Sequence, residues 1–301
     1  MALVMSVALF ACKGEGDSEK DGIILTDHAG NTAYLTKTSR VVSCYASLTD
    51  CWLLAGGEVV GVTDDCEERG IIFENSPAII GSTKVIDVEK IVSLDSDYVI
   101  MSYDLTAQRE LEDVLESMQI PYGYFRVDTF EDYEKIMSSF TSVTGRKDLY
   151  EENVSKPKEN ISRILSEIPD DNDDTFLLLR AYSTGMKVKR DDNLAGLILN
   201  EMHLTNIADL SESILEELSM EKILLEDPEY IFISTMGDEE AAKKYISENI
   251  SSDPVWQSLS AVKEGRVFFL PQELFHYKPN EKWDESYEYI RKILYPEVVP
   301  E

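Results

Sequence analysis

Basic residues are scarce in this chain of 301 residues. Lysine and arginine together number 28 against 58 aspartates and glutamates, which gives a formal net charge of −30. A nucleic-acid surface requires clustered basic side chains, and adhesion to anionic lipid depends on the same positive charges. We therefore expect no nucleic-acid partner and no electrostatic membrane binding. The acidity itself is typical of a solvated surface and indicates no particular function.

Cysteine and histidine, which bind many transition metals, are also few. The chain has 4 cysteines and 3 histidines, without a Cys-x-x-Cys pair or a spacing typical of a zinc site. We therefore predict no metal site and no intrinsic cofactor. Cys44 lies in a strand pattern and Cys51 in a helix pattern, so these two and Cys66 are interpreted as buried small hydrophobic residues. A disulfide between two of them is the alternative.

Recognisable catalytic motifs are missing as well. No Gly-x-Gly-x-x-Gly follows the first predicted strand, and neither a Gly-Lys-Ser phosphate loop nor a Gly-x-Ser-x-Gly elbow occurs. Pairs of carboxylates arise by chance among 58 acidic residues, so they give no evidence of catalysis. We predict that the chain is not an enzyme. An α/β enzyme with a catalytic cleft and a structural surface lipoprotein are the alternatives.

The chain begins with a short apolar run, residues 1–11, which ends at Cys12. Eleven residues are too few to span a bilayer, which takes about 20, but they suit a secretion signal. Residues 9–12, Leu-Phe-Ala-Cys, resemble a bacterial lipobox, whose cysteine is lipidated and becomes the new N-terminus. We predict that residues 1–21 are a signal and flexible tether and that multiply acylated Cys12 anchors the chain outside the cell membrane. An ordinary cysteine after a chance apolar run is the alternative.

The most informative positive feature is a stretch that occurs twice. Val88–Met101 and Met220–Ile233 both read as a short helix, a turn and a buried strand. Both copies place Glu-Lys-Ile at the helix start and a tyrosine at the start of the strand. The distance between them matches one α/β lobe of roughly 100–150 residues. Two similar halves are therefore predicted, with a ligand cleft between them.

The alternation of buried strands with helices predicts the architecture. Such a pattern is typical of mainly parallel sheets, so we predict an α/β fold with two Rossmann-like lobes joined by a single long α-helix. The N-terminal lobe comprises residues 22–145, the linking helix 146–169 and the C-terminal lobe 170–301. Pro157 lies inside the predicted linking helix and predicts a kink or break there.

The order of several short motifs resembles one protein family. The motifs lie in residues 40–43, 48–50, 60–64, 81–82 and 88–100 of the first half, and 206–209, 227–231 and 256–267 of the second. Together they are similar to the substrate-binding proteins of ABC importers for iron complexes and cobalamin, over about residues 40–295. The resemblance implies that the chain, as a monomer, captures a metal chelate between its lobes and delivers it to a permease and its ATPase.

The resemblance also assigns a role to the repeated helices. In the family, one surface glutamate on each lobe meets a basic pocket of the permease, and Glu89 and Glu221 occupy these positions. The alternative is that each glutamate only complements the positive end of its helix.

The chelate itself is expected to be siderophore-like and ferric, with haem or a corrinoid as the alternative. A large anionic guest needs aromatic walls and a few cationic or hydrogen-bonding groups. In proteins with open parallel sheets, ligands bind beyond the carboxyl ends of the strands. The predicted ligand-binding residues are Tyr45, Tyr103, Arg126, Arg180, Tyr182, His276 and Tyr277, with Lys278 on the same rim.

Each of these predictions has a plainer alternative. Arg180 could form a salt bridge, Tyr45 could be a packed loop residue, and Arg126 could pair with Asp128. His276 could coordinate iron or simply face solvent.

Overall fold

The computed structural model describes residues 22–36, 39–210 and 220–296. The predicted signal, tether and lipidated Cys12 lie outside these residues. None of the helices in the described ranges combines the length and the apolar character needed to cross a bilayer.

The first sheet follows a short antiparallel hairpin, β1 (Ile23–Thr26) and β2 (Thr32–Leu35), which confirms the hairpin expected there. The sheet strands are β3 (Val41–Ser43), β4 (Val59–Val62), β5 (Ala78–Ile79), β6 (Tyr98–Ser102) and β7 (Tyr122–Phe125). They are all parallel, in the order β5-β4-β3-β6-β7. The accompanying helices are α1 (Ala46–Leu54), α2 (Asp65–Glu68), α3 (Val88–Ser93), α4 (Thr106–Arg109), α5 (Glu112–Ser117) and α6 (Phe130–Thr144).

Two local predictions in this half are wrong. The amphipathic pattern of Thr106–Met118 predicts a single helix, but the structure has two short helices there, and the buried Gln108 side chain of the first turns inward. It accepts a hydrogen bond from the Ser102 N–H and donates one to the Cys44 carbonyl, each at 2.6 Å, and so joins two strand ends. Helix α1 begins at Ala46 rather than after a Ser47 cap. The Asp65 carboxylate accepts from the Ala46 N–H at 2.9 Å, so a distant side chain supplies the cap.

The linking stretch is helical throughout. It consists of α7 (Lys147–Tyr150), a π-helical segment (Glu151–Ser155) and α8 (Lys156–Glu167). The irregularity expected from Pro157 is therefore a π-helical segment just before it rather than a break. A proline cannot donate an N–H to the preceding turn, and the wider turn accommodates it. The sequence of this stretch predicts a narrow apolar stripe of Ile161, Leu165 and Ile168. Ile161 and Ile168 are buried and Leu165 is half-buried, while Ile164, outside the predicted stripe, is buried as well.

The second sheet repeats the plan of the first. Its strands are β8 (Thr175–Tyr182), β9 (Gly185–Lys189), β10 (Thr205–Asn206), β11 (Tyr230–Thr235) and β12 (Val267–Leu270). The parallel order is β10-β8-β11-β12, and β9 pairs antiparallel with the end of β8. Its helices are α9 (Leu194–Glu201), α10 (Ile207–Leu210), α11 (Met220–Glu226), α12 (Glu239–Asn249), α13 (Pro254–Ser258), α14 (Ser260–Lys263), α15 (Gln272–Phe275) and α16 (Trp283–Leu294).

The repeated stretch has the same local structure in both halves. Each copy is a short helix, α3 or α11, followed by a central parallel strand, β6 or β11. Asp95 and Asp227, at equivalent positions of the two turns, both adopt the left-handed conformation, with φ of 47° and 40°. Asparagine and aspartate are the side chains that best tolerate this conformation. The α/β fold class with two similar sheets is thus confirmed.

One buried cluster joins the two halves. It contains Trp52 and Phe140 from the first half, Ile164 from the linking stretch, and Phe176 and Trp283 from the second. Burial of apolar area contributes roughly 25 cal/mol per Å², so large aromatic side chains dominate such a contact. Because α16 packs on α8, the last helix fixes the linking stretch against the second sheet.

Candidate ligand-binding cleft

The carboxyl ends of the first sheet form one wall of a cleft. Tyr45 follows β3, Tyr103 follows β6 and Arg126 follows β7, so three predicted ligand residues lie at one sheet edge. A cavity of about 60 Å³ opens among Tyr45, Arg126 and Lys278, the last of which belongs to the second half of the chain. The cavity therefore lies between the two halves.

The tyrosines of this wall differ in accessibility. Tyr45 is half-buried, and burial raises the pKa of its hydroxyl, so it is a neutral hydrogen-bonding group at pH 7. Tyr103 is 40% exposed, which leaves its ring available to a guest. In the second half, Tyr182 at the end of β8 is also only partly buried. The structure thus provides aromatic surface on both sides of the cleft.

Arg126 has carboxylate partners in its own half. Its guanidinium contacts Asp128, and its Nε lies 3.4 Å from Asp104. The charge of Asp128 is the main cause that raises the pKa of Arg126. The alternative proposed from the sequence, an Arg126–Asp128 pair, is therefore observed. Arg126 lines the cavity, but its charge is already compensated.

A segment of the second half crosses to the first. We call residues 276–282 the crossing segment. Lys278 Nζ lies 2.9 Å from Asp128 Oδ1, and the Lys278 carbonyl accepts a hydrogen bond from Arg69 at 3.2 Å. Burial alone would raise the pKa of Asp128, but the hydrogen bond and charge of Lys278 and the charge of Arg126 lower it. The two halves are thus joined across the cleft by ionic contacts.

Asn280 anchors the crossing segment. It is completely buried and adopts a left-handed conformation with φ of 50°. Its side-chain amide donates to the Ser47 carbonyl at 3.1 Å and to Asp50 at 2.7 Å, and its oxygen lies 3.4 Å from the Cys51 thiol. A buried polar side chain with all of these partners is stabilising and orients the neighbouring residues.

Arg69, at the end of α2, is a cleft residue that the sequence prediction missed. Its guanidinium donates to the Ser47 hydroxyl at 2.5 Å and lies 5.0 Å from the centre of the Tyr277 ring. It also lines a second cavity of about 510 Å³ between α1 and the crossing segment. The sequence signal that could have found Arg69 is its place in the segment between β4 and β5, beyond the carboxyl end of a parallel strand.

His276 and Tyr277 both belong to the crossing segment, and Tyr277 lines the second cavity. His276 is half-buried, and burial followed by the charges of Arg180, Arg69 and Lys278 lowers its pKa to about 4. The imidazole is therefore neutral at pH 7 and able to accept a hydrogen bond or coordinate a metal. The apolar and aromatic run Leu274–Tyr277 predicts a ligand-binding loop, but Leu274 and Phe275 are buried in the core on α15.

Arg180 lies near the end of β8, on the face of the sheet that also carries Phe176 and Leu178. Its charge is one of the causes, after burial, that lower the pKa of His276. Its Nε is buried and lacks a hydrogen-bond partner among the described residues. The salt bridge suggested as its alternative role is likewise not found in these residues. Arg180 therefore provides uncompensated positive charge and an unused donor at the cleft.

The remaining predictions concern surfaces and thiols. Glu89 and Glu221 are both exposed in the first turns of α3 and α11. Cys44, Cys51 and Cys66 are buried free thiols, which confirms their reading as small hydrophobic residues. Burial raises the pKa of all three, so they are unreactive thiols at pH 7. In the part of the chain that the structure describes, no group of three or more potential ligands is arranged to hold a metal ion.

Comparison with known proteins gives a consistent result. The profile of the periplasmic binding protein family matches residues 41–274. The Fe(3+)-citrate-binding protein YfmC of Bacillus subtilis is 25% identical over 287 residues, which cover 88% of this chain and 87% of YfmC.

Two solved structures share the fold. One is S. aureus SirA complexed with staphyloferrin B, with a TM-score of 0.66 and 20% identity, over 90% of this chain and 98% of SirA. The other is S. aureus IsdE complexed with heme, with a TM-score of 0.66 and 17% identity, over 85% of this chain and 99% of IsdE. These matches confirm the family resemblance seen in the sequence. The chain belongs to the periplasmic binding protein family, the extracytoplasmic substrate-binding transport proteins of ABC importers.

Proposed function

We propose that the chain binds an anionic ferric chelate in the cleft and delivers it unchanged to an ABC permease. The observation that carries the proposal is the convergence of cations from both halves in a chain of net charge −30. Arg69 donates to the Lys278 carbonyl in the crossing segment, and Arg180 lies near the carboxyl end of β8. The Arg180 Nε is buried and has no hydrogen-bond partner among the described residues, so a carboxylate of the guest would supply the missing acceptor through a charge-assisted hydrogen bond. YfmC is by its name an Fe(3+)-citrate-binding protein, and SirA is known in complex with staphyloferrin B.

The test is a titration of intrinsic fluorescence. Trp52 and Trp283 are buried in the cluster that joins the halves, so closure around a guest is expected to change their emission. The guests are ferric citrate, a ferric carboxylate siderophore, a neutral ferric hydroxamate, haem and cobalamin, with iron-free citrate as the control. We expect the anionic ferric chelates to bind at submicromolar concentration. Recovery of a chemically altered guest would instead support an enzyme, and binding of none would contradict the proposal.

Haem is the second candidate, because one observation favours it. His276 is a neutral, half-buried imidazole beside Tyr277, with ring centroids 5.1 Å apart. Histidine and tyrosine are both haem ligands, and the surrounding cations suit the propionates. IsdE is a structural neighbour that binds haem. If the protein forms a haem complex and its Soret band shifts on His276→Ala, the guest is haem rather than a siderophore-like chelate.

Glu89 and Glu221 are proposed to dock the permease. Both are exposed and occupy equivalent positions in the two copies of the repeat, so they suit a transporter with two similar halves. We expect Glu89→Lys with Glu221→Lys to abolish uptake and to leave chelate affinity unchanged. The matched control is Glu131→Lys with Glu240→Lys, because these are also exposed first-turn glutamates, one in each half. Equal uptake by both double variants would reject the docking role.

The anchor and the assembly state complete the proposal. Cys12 is proposed to carry the lipid that holds the chain on the outer face of the membrane. Cys12→Ser is expected to release the protein into the medium and to abolish acyl labelling; membrane retention of this variant would reject the anchor. The chain is proposed to act as a monomer, and light scattering of the soluble form should give one copy of 34.1 kDa for the full sequence, less any removed signal.

A further inference from the structure

The hairpin formed by β8 and β9 carries an unusual pair of charges. Arg180 lies directly opposite Lys187 in the antiparallel register. Met186 and Val188 of β9 pack into the core on one face, so Lys187 lies on the other face together with Arg180. Directly opposed residues have Cβ atoms about 5 Å apart, and like charges in such a pair destabilise the sheet.

Neither charge is compensated in the part of the chain that the structure describes. Lys187 is exposed and forms no ion pair or side-chain hydrogen bond in these residues, and Arg180 Nε is buried without a partner. Lys189 provides a contrast on the same strand and face. It lies opposite Leu178, and its Nζ is 3.8 Å from Asp192. In the described residues, the Arg180–Lys187 pair therefore combines opposed like charges with the lack of a carboxylate partner, whereas Lys189 does not.

The pair lies near the carboxyl end of β8, the end of a parallel strand beyond which ligands bind. The charge of Arg180 is also one of the causes, after burial, that lower the pKa of His276. Further along the hairpin, Tyr182 lies opposite Gly185, and no atom would lie within 4 Å of a side chain added there. The hairpin thus presents two cations and an aromatic ring, with open space beside them.

We propose that Lys187 and Arg180 together bind an anionic group of the guest, such as a carboxylate, and that Lys187 thereby selects anionic over neutral ferric chelates. This inference depends on the proposed function. The bound anion would replace the repulsion between the two cations with two charge-assisted contacts. Lys187 is outside the set of residues predicted from the sequence.

The experiment compares Lys187→Gln with Lys189→Gln. We expect Lys187→Gln to weaken the binding of ferric citrate about 3- to 10-fold, as for a partly exposed charge contact, and to change the affinity for a neutral ferric hydroxamate less than 2-fold. Lys189→Gln should leave both affinities within 2-fold of the unchanged protein. The loss for ferric citrate should shrink in 0.5 M salt, which screens an exposed charge.

Thermal unfolding separates a ligand role from a structural one. Removal of a repulsive charge should leave the unfolding temperature of Lys187→Gln equal to, or above, that of the unchanged protein, although affinity falls. A variant that loses stability together with affinity for both guests would overturn the inference in favour of a structural role. Unchanged affinity for ferric citrate would also overturn it. Failure of the unchanged protein to bind any ferric chelate would instead refute the proposed function.

Discussion

The two walls of the cleft differ in whether carboxylates compensate their cationic side chains. On the wall of the first sheet, Arg126 is flanked by Asp104 and Asp128, and Lys278 is bound to Asp128 as well. On the wall of the second sheet, Arg180 and Lys187 lack carboxylate partners among the described residues. One wall thus contains internal ion pairs, while the cations of the other are without carboxylate partners in the described residues; we propose that a guest supplies these partners.

The largest effect is expected at the free wall, from Arg180→Gln. The variant removes the half-buried cation and its unpaired donor, and charge-assisted hydrogen bonds contribute about 1.5–3 kcal/mol. Affinity for ferric citrate should fall about 10- to 100-fold, as measured by fluorescence titration. Arg126→Gln, on the compensated wall, is the control and should weaken the affinity for ferric citrate less than 5-fold. A greater loss for Arg126→Gln would show that the two walls do not differ in this way.

The next effect concerns the attachment of the crossing segment. Asn280→Ala leaves Asp50 and the Ser47 carbonyl without their buried donor, so the free energy of unfolding should fall by about 2–3 kcal/mol. Chemical denaturation would measure this change. Asn249 donates a hydrogen bond only on the surface of α12, and Asn249→Ala should change stability by less than about 0.5 kcal/mol. Equal losses for the two variants would contradict the anchoring role.

A smaller effect is expected in the pH dependence of stability. The pKa of His276 is lowered from 6.5 to about 4, so the unfolded chain binds more protons than the folded chain between these values. The contribution of this group is fully present above pH 6.5 and is lost as the pH falls toward 4. His276→Gln should flatten this part of the curve of unfolding free energy against pH. A slope unchanged by the substitution would assign the pH dependence to other groups.

The smallest effect is expected from Asp128→Asn, which frees Lys278 and Arg126 on the compensated wall. Ferric citrate should then bind about 2- to 5-fold more tightly at low salt, and the gain should disappear at high salt. The pKa of Asp128 is lowered in the folded chain, so its stabilising contribution is present above its ordinary pKa of 3.8 and is lost at lower pH. The variant should lack this acid-dependent loss. Weaker binding would mean that Asp128 positions Lys278 for the guest.

The sequence predicted those parts of the fold that depend on local pattern. The helix over Trp283–Leu294 has the predicted bounds, because its apolar residues follow the helical period. The repeat was evident in the sequence because each copy contains a short helix and the following strand within one short continuous stretch. The hairpin strand Gly185–Lys189 was missed, since its alternation is short and its partner strand was ended too early, at Leu179. The extent of β8 depends on pairing with β9, which the sequence of β8 alone does not contain.

The contacts of the cleft were predicted less completely than the helices and strands, because several of them join residues that are far apart in the sequence. Tyr45 and Arg180 were proposed because they follow predicted strands, and Arg126 because it lies near the end of one; its partner Asp128 is close in sequence. The contact of Lys278 with Asp128 joins residues 150 positions apart, so local pattern gives no sign of it. Arg69 ends a helix of only four residues, which is too short to show a period. Long-range pairing therefore decides which cations are compensated and which remain free.

The anchoring of the crossing segment determines how the protein can open. The segment belongs to the second half of the chain, yet Asn280 is bound inside the first half. Rotation of one half away from the other at the linking stretch alone would pull Asn280 out of its pocket. Separation of the walls would therefore require the nine residues between Leu270 and Asn280 to change their backbone path.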